Sequence, residues 1–127
     1  MRLVLAALAV TAVALTVAAT VLAAAPDAFT GAWTGIDPDD GSTLRTQISA
    51  PSESGTRHVT LVDRFASACN APATATGFGA VSGAMLTATV DVRCGGAVLA
   101  RDVTVTWEAV GDELLGGGGV VYTRPGG

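Results

Sequence analysis

Lysine is absent from all 127 residues; the seven basic side chains are arginines, set against eleven carboxylates for a formal charge of −4. An acidic chain without a basic cluster repels a phosphate backbone, which excludes nucleic acid as a partner and electrostatic docking on anionic lipid. The abundance of Ala, Gly, Val, Thr and Arg beside that missing lysine reads as genome base composition rather than as a functional device. There is one histidine, His58, and two cysteines, Cys69 and Cys94, with no Cys-x-x-Cys spacing. Two thiols and one imidazole do not complete a zinc site. A Ser-His-Asp triad would have to use His58, yet no Gly-x-Ser-x-Gly elbow is present. Gly95-Gly96 and Gly116 to Gly119 lack the Lys-Ser/Thr that follows a phosphate-binding loop, so they read as turns. Aromatic residues are scarce, which leaves little surface for stacking sugars. Beyond residue 25 no segment shows helical periodicity.

What is present begins with Met1-Arg2, then an uncharged run from Leu3 to Leu22 and the small residues Ala23-Ala24-Ala25 before Pro26. A basic start, an apolar run and small residues at its end describe a signal peptide over residues 1–25. Cleavage is expected near 23–25: after Ala25 with Ala23 three positions back, or after Ala23, which keeps Pro26 away from the bond. The run is also long enough to span a bilayer, but no Arg follows until Arg45, so it has no stop-transfer flank. Export places the mature chain outside the cell or in the cell envelope. Losing Arg2 moves its charge to about −5, and its length of about a hundred residues suits one domain, 26–127, with a modest core. In an oxidising compartment an even cysteine count predicts one disulfide, Cys69–Cys94.

The clearest element is Met85 to Cys94. Leu86, Ala88, Val90, Val92 and Cys94 share one parity and Met85, Thr87, Thr89, Asp91 and Arg93 the other, which is a half-buried strand. The same alternation predicts strands over 29–36, 43–48, 58–65, 73–80, 103–109, 113–115 and 120–124, with Val98 to Arg101 extending or bulging the sixth. Asp37-Pro38-Asp39-Asp40-Gly41-Ser42, Pro51 to Gly55, Ser82-Gly83 and Gly111-Asp112 supply the turns. Seven or eight short strands joined by tight sequential turns predict an all-β domain, a small antiparallel up-and-down β-barrel with a β-sandwich as the alternative.

Gly31-x-Trp33 at the start of this meander, with Tyr122-Thr123-Arg124 closing the last strand, resembles the calycin superfamily of lipocalins and avidin-like barrels. The chain also resembles small secreted bacterial β proteins of unknown function. The calycin resemblance implies that Trp33 lies inside one barrel end with Arg124 packed across it, as a structural closure rather than a ligand site. No set of biotin-contact residues is present, and no room remains for a lipocalin C-terminal helix.

No residue set points to catalysis: catalytic residues, metal ligands and cofactors are none, and the expectation is a non-enzyme. The Asp37-Asp39-Asp40-Ser42 turn has oxygen ligands but lacks the bidentate Glu of an EF-hand. Asp63 is the oddity, a carboxylate on the apolar parity of its strand with Val59 and Leu61. Such a group needs a partner or a raised pKa. It either pairs at the strand end or orients a ligand in the barrel mouth. A carboxylate pair with Asp91 or Glu108 is the one catalytic alternative. Two function classes follow. One is a small apolar ligand held inside the barrel near Trp107, Asp63, Leu61, Val90 and Val105. The other is an extracellular or envelope protein-binding module, inhibitory or structural, with a filled barrel.

Overall fold

The computed structural model describes residues 27–63, 69 and 72–125. The leader, its cleavage site and the Arg64–Phe65 end of the expected third strand lie outside the described residues. Eight antiparallel strands close into a barrel: β1 (Gly31–Ile36), β2 (Thr43–Ile48), β3 (Arg57–Asp63), β4 (Ala73–Ser82), β5 (Met85–Cys94), β6 (Ala97–Val110), β7 (Glu113–Gly116) and β8 (Val121–Thr123). Each strand pairs with its sequence neighbour, and β1 pairs with β8 to close the ring. The barrel, not the sandwich, is therefore the fold. Among the described residues no helix is long and apolar enough to cross a membrane.

Alternation decides what faces inward. In β2 the buried residues are Leu44, Thr46 and Ile48, and in β5 they are Leu86, Ala88 and Val90, each separated by an exposed neighbour. Phe29, Trp33, Val59, Ala75, Trp107, Leu114, Val120 and Tyr122 belong to the same core. Registers of Ser82 with Met85, Cys94 with Ala97 and Val110 with Glu113 leave two-residue loops at these hairpins. Such loops set antiparallel register tightly.

One expected element differs, and the sixth strand takes up Val98 to Arg101 as expected. Phe29 and Thr30 do not belong to β1; Asp27 to Thr30 instead form a strap that enters the barrel end where β1 starts, with Phe29 buried. The sixth element is a single strand of 14 residues, and the Val98–Arg101 segment joins it through a bulge. There Asp102 adopts φ 55°, and its N–H donates to Asp91 Oδ1 at 3.0 Å. Aspartate tolerates that conformation better than most residues. In β4, Gly77 permits the closest strand approach: a Cβ there would overlap the Thr89 carbonyl oxygen and sit 2.8 Å from Val90 Cα. Glycine inside a strand commonly marks such a bend in a barrel wall. Cys69 and Cys94 form a disulfide with Cα atoms 5.6 Å apart, tying the segment after β3 to the end of β5.

Candidate functional site

Because the strands run up and down in turn, the barrel has two distinct ends. One end holds the starts of β1, β3, β5 and β7. The other holds the Asp37–Ser42 turn, the end of β3 at Asp63 and the Gly95-Gly96 hairpin.

At the first end the interior is sealed by side chains. The Trp33 indole Nε1 donates to the Phe29 carbonyl at 2.9 Å. The Arg124 guanidinium lies 4.1 Å from the centre of the Trp33 ring and donates to the Thr30 carbonyl at 2.7 Å. A cation over an indole face is attracted by the ring quadrupole. Gly31, at φ 129°, makes that approach possible, since a Cβ would stand 2.7 Å from Arg124 Nη1. A second arginine completes the seal. Arg57, 7% exposed, bonds Asp27 Oδ2 at 2.7 Å and Thr30 Oγ1 at 3.0 Å, with its guanidinium 5.8 Å from the centre of the Phe29 ring. Burial alone would raise the Asp27 pKa, but bonds donated by Arg57, Thr30 and the Phe29 N–H outweigh it and hold the carboxyl well below the usual range.

The second end is different. Among the described residues a cavity of about 270 Å³ is lined by Leu44, Leu61, Ala73, Ala75, Val90, Val92, Leu99 and Val105, with Asp63 as the one charged side chain. Val90, at 1% exposed, is the most enclosed of these, and Leu99, at 52%, stands at the mouth. Register puts Asp63 opposite Leu44 on one side and Ala73 on the other, at the rim. Ala73 is in turn opposite Cys94, so the disulfide fastens this same rim.

The cavity brings together Asp63, Leu61, Val90 and Val105 from the expected ligand set. Trp107 is not among its lining residues. It is buried, opposite Leu86 and Gly116, toward the sealed end. Parity put it inside correctly, but β6 runs from the open end to the sealed end, so residue 107 sits low. Beside it is Tyr122. Burial pushes the Tyr122 phenol up, the neighbouring Thr46 and Trp107 side chains act against that, and the charges of Asp63 and Asp37 add to the rise. Alignment at the mouth supplies what the sequence did not assign: Ala73 and Ala75, whose small side chains leave the space, and Leu99, which the β6 bulge brings to the lining.

The remaining candidates lie elsewhere. His58 is exposed, with its ring edge on exposed Phe78 at 5.2 Å. Asp91 and Glu108 occupy the opposite parity from the lining, bonded to Asp102 N–H and exposed respectively, so neither joins Asp63 in the interior. In the acidic turn, Asp37 and Asp40 accept the Asp39 and Ser42 backbone N–H groups at 2.8 Å, which is turn-forming chemistry. The Ser42 N–H bond also leads the causes that lower the Asp40 pKa. A wider depression of about 650 Å³ lies outside the sealed end among Val110, Gly111, Asp112, Glu113, Thr123 and Arg124, all exposed and none enclosing it. No protein-family model, curated protein or solved structure matches the chain.

Proposed function

We propose that this is a secreted, non-catalytic barrel that holds one small, largely apolar ligand in its open end. The observation that carries the reading is the contrast between the two ends: one is filled by Phe29, Trp33 and two arginines, and the other keeps an aliphatic cavity of about 270 Å³. An eight-stranded barrel is just wide enough to be filled or to hold one small ligand, and here small alanines leave the space. Trp33 and Arg124 act as closure, the part the calycin resemblance implies for them. The disulfide and the leader fit an extracellular or envelope setting.

The test is saturable binding of a short apolar probe, followed by native mass spectrometry, in wild type and in Ala73→Trp. Wild type takes up one equivalent, and the indole placed at the rim abolishes uptake. A folded wild type that retains no apolar probe would contradict the reading.

The protein-binding alternative has its own observation. Leu115 is opposite Val121, and the β1–β8 register brings Ile36 beside Val121, so three exposed apolar residues form a stripe over β7, β8 and β1. A charge in that stripe, Val121→Glu, leaves probe uptake intact but breaks any complex formed through this face. If pull-downs from culture supernatant recover the same partner with both proteins, the stripe is not the interface.

A further inference from the structure

We infer that the open-end cavity selects its ligand by head-group charge, taking a short aliphatic chain that ends in a cationic ammonium and rejecting the same chain with a carboxylate. The inference rests on the ligand-binding reading above and adds the class of ligand to it.

Volume comes first. About 270 Å³ is room for roughly nine groups of the size of a water molecule, so a chain of about six carbons fits within it. Polarity comes next. Among the described residues eight of the nine in the lining are aliphatic, and the ninth is the Asp63 carboxylate. Asp63 is the last residue of β3, whereas Leu61, two positions back on the same face, is about 7 Å deeper. A ligand lying along the barrel axis therefore buries its tail against Leu61, Val90 and Val105 and leaves its head at Asp63. Asp63 also has an interaction within the protein. A carboxylate accepts about four hydrogen bonds, so it can take an ammonium donor in addition.

Among the described residues the carboxylates at this end outnumber the arginines. Asp37, at the end of β1, and Asp63 both act on Tyr122 as negative charges, and Asp39 and Asp40 follow in the same turn. Among the described residues the arginines on neighbouring strands, Arg45, Arg93 and Arg101, are exposed. Arg45 and Arg93 stand opposite Val62 and Thr74, on the outer parity. An anionic head would meet Asp63 in a partly desolvated mouth, where like charges repel more strongly than in water. An ammonium there gains the opposite interaction, and apolar tail burial is common to both.

The experiment is a calorimetric titration of the oxidised protein at neutral pH with hexylamine, 1-hexanol and hexanoate, which share a tail and differ in head charge. Hexylamine should bind about tenfold more tightly than 1-hexanol, and hexanoate about tenfold more weakly. Raising the salt from low to high ionic strength should narrow the spread. Asp63→Asn, checked for fold by circular dichroism, should bring the amine and the carboxylate to within about threefold of each other. The wild-type ranking and its salt dependence stand as a test even if that variant does not fold. Equal affinity for all three, or hexanoate binding most tightly, overturns charge selection while leaving the cavity as a ligand site. Binding by none of the three overturns both.

Discussion

Arg57 is a charged side chain that the barrel keeps almost wholly out of water, and its position shows how one residue governs an end of the fold. Its guanidinium holds Asp27, Thr30 and the Ser49 carbonyl together, the last at 3.4 Å, so ionised Asp27 is one of the groups that fasten the strap. The folded pKa of Asp27 is depressed, so the stability it contributes is present above the unfolded value of about 3.9 and is lost as pH falls below it. Asp27→Asn should cost about 1 kcal/mol at neutral pH, discounted for a carboxylate near solvent. Urea unfolding across pH 2 to 7 (roughly) should show a flatter acid limb in the variant than in wild type. Gly31 carries the second residue-scale expectation. Alanine at φ 129° is strained and crowds Arg124, so Gly31→Ala should lower stability by at least about 1 kcal/mol by the same measurement. Both residues bear on legibility. The alternation that placed Asp63 inside also runs back through Leu61 and Val59 to Arg57, so its burial was readable one step further along the strand. Its partner was not, because nothing in local sequence says that Asp27 returns to a residue 30 positions away.

β4 and β5 show what spacing reveals about an element and what it leaves out. The boundaries of β2 and β5 agree with alternation to the residue, because each has an uninterrupted apolar face bounded by strong turn chemistry. β6 is less regular, since its bulge changes parity between Val103 and Val98, and alternation therefore left Val98 to Arg101 as an extension or a bulge of that strand. β4 has no bulky apolar stripe, because its inward positions are Ala73, Ala75, Gly77 and Gly79, where small size serves the bend and the cavity rather than a hydrophobic face. Gly77→Ala should therefore be severe for a one-carbon change, costing about 2 kcal/mol or more by denaturant unfolding, because the obstacle is the Thr89 backbone and not a movable side chain. Reducing Cys69–Cys94, which spans 25 residues, should lower stability by about 3 kcal/mol in the chain-entropy account. Parallel urea curves with and without a thiol reductant will measure that loss, and coincident midpoints would mean that the bond constrains little.

The whole molecule is a short barrel whose topology follows from its turns and whose asymmetry does not. Sequential tight loops force neighbouring strands to pair, so an up-and-down order was legible before any contact was known. Which inward residue lies near which end depends on strand direction and on the stagger of the closed sheet, and this is why both tryptophans lie toward the sealed end while the alanines mark the open one. The candidate site was legible as a set of aliphatic residues around Asp63, and that Trp107 lies away from it came only from the three-dimensional arrangement. Methyl-resolved NMR during a titration with 1-hexanol tests the central claim most directly, because it reports each end of the barrel separately. Saturable shifts at Leu44, Leu61, Val90, Val92 and Val105, with Leu86 and Ile48 unmoved, are the predicted result. Saturation that leaves those five methyl sets unchanged, or no saturable shift in the folded protein, would contradict it.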